Sequence, residues 1–383
     1  MFESLMEEVQ KLKTDKMIIL IGLIIPVLVN LMIGWELSKG VIDHIPMAIV
    51  DYDNSKLSRE VIGYFSDNNT FTLAYRVEDE NKLQSLLDTS KVKVGMIIPK
   101  NFSEDVIGLR SPSILMLYDG SHMSITSVAK AKASEILLSI RVGASIKQLE
   151  GRLNMNEEEA YHTAMPINFE NRTLYNPSKN FNYFMTPGYG TIICQTGIGL
   201  TAVLCIDFIR QGKKRKSNLG YTLGKTLFYG LLGSISFIMN VLVQIYLFKL
   251  PFRGSLGVAM LLSIMLAFAI ASMSIAVSTW ISNRVIAIVV IGLLLIPNSI
   301  MAGYTWPVIS MLPFYQKVSH IIPFYHYGDN IRNLFLKGEL ENLGGDIYYL
   351  LFFIISMLVI ALMGNYKYYL SKVKGGVEND IAS

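Results

Sequence analysis

The chain has 383 residues, 51% of them hydrophobic and only 17% charged. Soluble domains carry about a quarter charged residues, so the deficit points to lipid exposure. The formal net charge of +4 is too small for a nucleic-acid binder, and its distribution along the chain matters more than its sum.

Residues 1–16 come first. Phe2, Leu5, Met6, Val9 and Leu12 recur at helical spacing, with Glu7, Glu8, Lys11 and Lys13 on the other face. The pattern predicts an amphipathic helix in the membrane interface, with an ordinary cytosolic helix as the alternative; direct continuation into a spanning helix favours the interface. Met17–Trp35, MIILIGLIIPVLVNLMIGW, carries no charge. It meets the requirement of about 20 apolar residues for a bilayer crossing. It is too long for the core of a cleavable signal and no small-residue cleavage site follows, so 17–36 reads as a retained first span.

Region 37–187 is polar and alternates strand and helix patterns. Pro46–Tyr52, Phe71–Val77, Val94–Pro99 and Ile114–Tyr118 read as strands; Ser55–Ser66, Glu78–Leu87 and 123–153 read as helices. The alternation predicts one sheet with helices packed on it, an α/β domain long enough to bury its own core. The cysteines, Cys194 and Cys205, lie outside this region in one apolar run, where they read as small packing residues.

Residues 188–369 hold five more predicted spans, at about 189–209, 227–248, 256–280, 285–304 and 347–366. Lys11, Lys13, Lys16, the run Arg210, Lys213, Lys214, Arg215 and Lys216, then Lys225, Arg284, Lys367, Lys372 and Lys374 all fall on one side of a six-span layout. The positive-inside rule makes that side cytoplasmic, with both termini and a tail at 370–383, and puts 37–187 outside. The expected fold is thus a membrane all-α bundle of six transmembrane helices with an inserted extracytoplasmic α/β domain, in an inner or plasma membrane. Segment 301–346 is rich in Pro and aromatic residues; short helices dipping partway into the membrane fit it, and an aromatic belt is the alternative.

Catalytic signals are few. The five histidines form no zinc-like spacing and no GxSxG elbow is present, so neither a metal nor a catalytic residue is expected. Gly220-Tyr-Thr-Leu-Gly224-Lys225-Thr226 has three residues where a Walker A loop has four, and an apolar helix follows it; it is not read as a nucleotide site. The predicted spans carry the uncharged polar residues Asn30, Gln195, Asn240, Gln244 and Asn298 but almost no ionisable ones. Ion-coupled carriers need such groups, so any driving energy should enter from another subunit.

Three stretches resemble type-2 ABC exporter permeases. Asn176-Pro177…Phe184…Pro187-Gly188 is similar to their approach to the second span. Gly303…Pro307…Pro313…Pro323…Arg332…Gly338 is similar to the pattern before their last span. Val50-Asp51-Tyr52-Asp53-Asn54-Ser55…Ser58-Arg59, with Ile98–Ser103 and Tyr118–Ser121, is similar to members with a large domain after span one. The segment 210–225 is shorter than the family's usual connection and lacks its E-x-G-T-x-E-like stretch.

The resemblance covers nearly the whole chain and implies a half-transporter. Its partners would be ABC ATPase subunits carrying ATP and Mg, a second permease copy or paralogue, membrane lipid, and in some systems a periplasmic adaptor protein; no cofactor is expected in this chain. The implied cargo is amphipathic or lipid-like. The ATPase would push on Phe2, Leu5 and the 210–216 basic run, and Gln195, Gly197, Gly199 and Asn298 are candidates to line the pathway. A membrane receptor with 37–187 as ligand-binding domain is the alternative.

Overall fold

The computed structural model describes residues 1–168, 170–205, 218–281 and 283–381. They form two units, Val41–Arg172 and Met1–Gly40 with Thr173–Ser383.

In Val41–Arg172, strands β1 (Ile45–Asp51), β2 (Phe71–Val77), β3 (Val94–Ile98) and β4 (Leu115–Tyr118) form a four-stranded sheet in the order β2-β1-β3-β4. β1 runs parallel to both β2 and β3, and β4 pairs antiparallel with β3. Parallel neighbours need helical crossovers, which α3 (Lys56–Ser66) and α4 (Glu80–Asp88) provide. The period-two alternation sorts the two faces. Ile45, Met47, Ile49, Val94, Met96 and Ile98 pack under Val61, Ile62 and Phe65 of α3 and under Ala129, Ala133 and Ile136 of α6 (Met123–Leu153). Ala48, Val50 and Ile97 face Leu83 of α4. The strands and long helices lie where the sequence places them. The short α5 (Phe102–Ile107) and α7 (Glu157–Ala164) were not expected; α7 is closed by a capping box between Asn156 and Glu159.

The second unit is helical. It comprises α1 (Phe2–Thr14), α2 (Met17–Lys39), α8 (Phe181–Val203), α9 (Asn218–Leu242), α10 (Leu256–Trp280), α11 (Arg284–Leu295), the short α12 (Asn298–Met301), α13 (Pro313–Ser319), α14 (Tyr325–Leu336) and α15 (Leu343–Ile381). Among the described residues, five helices are long and apolar enough to cross a membrane: Met17–Lys39, Leu219–Leu247, Leu256–Trp280, Arg284–Met301 and Leu343–Lys367. α8, expected as the second span, is not one of them. It is rich in Gly and Thr and contains Pro187 and Gln195, and most of its residues are buried against neighbouring helices.

Several boundaries differ from expectation. α8 begins at Phe181, not 189, because the Asn180 side chain caps it, accepting from Asn182 N at 2.8 Å and Tyr183 N at 3.3 Å. The described part of α9 already includes Asn218, ahead of the predicted 227, and α9 packs on α1. The α/β unit ends at Arg172, ahead of 187, because the chain is already tied to the helical unit by 181: Phe181 N–H donates to Gly40 O at 2.7 Å. Gly40 has φ +65°, and a Cβ there would strike the Asn180 amide.

Candidate functional site

The two stretches singled out around Pro187 and Gly303 meet in space. Pro187 interrupts the α8 hydrogen-bond ladder. One residue on, Gly188 N–H donates to Tyr304 Oη at 2.8 Å, and Tyr304 Oη donates to Phe184 O at 2.8 Å. A hydroxyl is therefore inserted where the helix would close its own bond. A Cβ at Gly188 would lie within the Tyr304 ring. The Arg332 guanidinium sits 3.9 Å from the Tyr304 ring centroid and 4.4 Å from that of Phe184, and its Nη2 donates to Tyr304 O at 2.7 Å.

The other motif residues shape the surrounding backbone. Asn176 Nδ2 donates to Asn180 O and its Oδ1 accepts from Asn180 N, both at 3.0 Å, in the turn that also contains Pro177. Gly303 and Gly338 hold φ of +85° and +88°. Pro307 precedes a 3-10 turn at Val308–Ser310, and Pro313 opens α13. In the α/β unit, Asp51 Oδ2 accepts from Ser58 Oγ at 2.7 Å and Asp53 Oδ2 accepts from Ser103 N at 3.1 Å, so the aspartates of that motif tie loops to helices.

A buried ionic cluster joins α1 to α9. The side chains of Glu8 and Lys225 are 0% and 1% exposed and form an ion pair. Lys11 Nζ also reaches Glu8 Oε1, at 2.6 Å, and Tyr229 Oη donates to Glu8 Oε2 at 3.0 Å. Ser4 Oγ donates to Tyr221 O at 3.1 Å. Burial pushes the Glu8 carboxyl up, but Lys225 and Lys11 outweigh it and hold it below the usual carboxylate range. Glu8 and Lys11 face the bundle, while Phe2, Met6 and Val9 are exposed and Leu5 and Leu12 are partly buried. Helical spacing sets which residues share a face, not which face is buried; the ammonium of Lys225 decides that. Lys225 itself lies within a helix and not in a phosphate-binding loop.

Farther along, the amides of Asn30 on α2 and of Asn240 and Gln244 on the single helix Leu219–Leu247 converge on Gly190. Asn30 Nδ2 donates to Gly190 O at 3.3 Å, and Gln244 Nε2 donates to Thr186 O at 3.1 Å and Asn240 Oδ1 at 2.9 Å. Gln195 Nε2 donates to Leu295 O at 3.3 Å. Gly197 lies against Ile21 O and Pro26, and Gly199 against Leu295 and Ile291. These three candidate pathway residues sit at helix contacts within the bundle, whereas Asn298 lines an apolar cavity of about 520 Å³ between α10, α11, α12, residues 318–323 and α15. Arg210, Lys213, Lys214, Arg215 and Lys216 lie outside the described residues. Among those described, no group of three or more His, Cys, Asp or Glu side chains is placed to hold a metal.

A family model described as ABC-2 family transporter protein matches residues 16–363. The chain belongs to the ABC-2 transporter family. It is 21% identical over 322 residues to the probable multidrug ABC transporter permease YbhR of Escherichia coli (strain K12), covering 82% of this chain and 84% of that protein. It is 23% identical over 274 residues to the probable multidrug ABC transporter permease YbhS of the same organism, covering 69% of each. ABC transporter G family member 23 of Dictyostelium discoideum is 22% identical over 318 residues, 79% of this chain and 43% of that protein.

This ABC-2 permease thus joins its motif-bearing stretches in one aromatic and guanidinium cluster. Two features of the ABC-2 helical unit escaped the sequence reading. The Glu8–Lys225 pair carried a usable signal: an ionisable residue inside an apolar run needs a partner. The other is His326, whose Nδ1 lies 2.7 Å from Asp346 Oδ1 and whose ring stacks on Tyr349 at 3.8 Å. No local pattern relates residues on α14 and α15.

Proposed function

We propose that this ABC-2 permease is the membrane half of an ATP-driven exporter of amphipathic or lipid-like compounds. A separate nucleotide-binding subunit supplies ATP hydrolysis with Mg, and a second permease copy or paralogue completes the path. The observation that carries the reading is the cavity: every lining side chain is apolar except the neutral amide of Asn298. Such walls suit apolar cargo and offer no titratable group for ion coupling. The relatives named as multidrug permeases support the same class.

In this reading α8 is one of six spans, both termini are cytoplasmic, and the α/β unit is extracytoplasmic, where it would receive an adaptor protein if one is used. Thr14→Cys and Ser121→Cys should then react with an impermeant thiol reagent from opposite sides, the natural cysteines being buried. Labelling of both from one side would overturn the layout.

Force from the ATPase would enter at Phe2 and Leu5 of α1 and at the basic run. Because α1 is pinned to α9 through Glu8 and Lys225, a push on α1 moves α9 with it. The purified chain alone should hydrolyse no ATP. Reconstituted with its ATPase in inverted vesicles, it should accumulate a lipophilic fluorescent cation only with ATP. Replacing Lys213, Lys214, Arg215 and Lys216 by Gln should lower transport and substrate-stimulated ATPase activity together. Accumulation driven by an ion gradient without the ATPase would sink the exporter reading; full activity of the quadruple variant would sink the coupling site.

A further inference from the structure

We infer that the cavity between α10, α11, α12, residues 318–323 and α15 is a binding site for one acyl chain of a membrane phospholipid, its ester carbonyl accepting from Asn298. Three observations combine. The first is size: about 520 Å³ lies within the roughly 300–1,000 Å³ of sites for single small ligands. A site of that size suits one chain better than a whole diacyl lipid.

The second is the wall. Met273, Val277, Leu294, Met301, Phe353 and Met357 line it, and no charged side chain does. Methionines adapt to a flexible chain without fixing its shape. The ends are ordered by bonds made elsewhere. Trp280 Nε1 donates to Ile360 O at 3.0 Å, with Lys367 Nζ 5.2 Å from its ring, and at the other end Tyr349 Oη donates to Ile321 O at 2.6 Å.

The third is Asn298. It is 2% exposed, lines the cavity, and its side-chain amide makes no hydrogen bond among the described residues. A buried amide without a partner is costly, and the cavity is the space from which a partner can come. Apolar walls with one hydrogen-bonding point match an acyl ester: the methylene chain needs no partner and the carbonyl needs one. The site takes up the cavity on which the exporter reading rests, but its test reads lipid occupancy and not transport, so either can fail without the other.

The test uses the full chain in nanodiscs doped with a phospholipid carrying a diazirine on its acyl chain. After irradiation, labelled residues are mapped by mass spectrometry. Labelling at 273–281 and 293–301 should exceed that at Met32 of α2, which is 70% exposed, by about fivefold, the ratio given by roughly 1 kcal/mol of preference. Leu294→Trp, at a half-exposed wall position, should abolish the excess, and Asn298→Leu should lower it. Excess unlabelled lysophospholipid should compete with the label in the unmodified chain. Labelling no higher than at Met32, or an excess untouched by both Leu294→Trp and the competitor, would overturn the site.

Discussion

Replacing Glu8 by alanine is expected to cost about 3–5 kcal/mol, the usual penalty for leaving one member of a buried ion pair uncompensated. The whole stability of a domain is only about 5–15 kcal/mol, so the variant should keep a much smaller margin and melt well below the wild type. Lys225 would keep the carbonyl of Cys205 at 3.2 Å but lose its carboxylate, and Tyr229 would lose its acceptor. The double variant Glu8→Met with Lys225→Met removes both charges and should recover much of the loss, because paired apolar groups of similar volume replace a desolvated pair at little cost. Thermal unfolding in detergent, read as monodisperse protein after heating, measures all three. Glu8→Ala melting with the wild type would show that the pair contributes nothing. The pH dependence has a definite sign. The folded Glu8 carboxyl titrates below its unfolded value, so its contribution is present above the unfolded pKa and lost as pH falls through the folded one. Acid should therefore loosen α1 from α9, and the double variant should lack that part of the acid sensitivity.

Gly188→Ala should be nearly as damaging. Its methyl would occupy the space of the Tyr304 ring, which is fully buried and held from behind by Arg332. Overpacking of this kind costs about 1–3 kcal/mol, more where neighbours cannot yield. Tyr304→Phe isolates the hydrogen-bonding part: the ring stays, but Gly188 N–H and Phe184 O both lose their partner at a break that Pro187 prevents α8 from closing normally. About 1–3 kcal/mol is expected for each buried group left unsatisfied. If the interior of α8 bends at this point, as the inserted hydroxyl implies, Tyr304→Phe should also change the reactivity of a cysteine placed at Tyr183. A Tyr304→Phe variant with wild-type melting would mean that the hydroxyl is incidental to the helix.

The α/β unit was legible because its strands are short, alternating and bounded by capping residues such as Ser55 and Asp79, each of which accepts the expected amide. Those signals are local, and local signals survive in sequence. The helical unit was most legible where helices are apolar all along. α8 read poorly because its Gly, Thr and Gln are chosen for close contact with other helices, which lowers its hydropathy. α1 read well as a helix, but the burial of Glu8 against the bundle was not legible, since it depends on Lys225, more than two hundred residues away. The two motif stretches were recognisable one by one. That Tyr304 reaches Gly188 to form a single site required coordinates, because no spacing rule connects a tyrosine to a backbone N–H across that distance.

The hydrogen bond from Phe181 to Gly40 has a thermodynamic meaning for how such a chain can change. It fastens the two ends of the long excursion to each other, so the helical unit experiences Val41–Arg172 as a closed loop. The entropy of closing a loop grows only logarithmically with length, about 0.6 kcal/mol per doubling. Enlarging, shrinking or exchanging the excursion therefore perturbs the bundle by little, provided the clasp at Gly40, Asn180 and Phe181 is kept. The bundle depends on its junction while remaining nearly indifferent to what the junction carries.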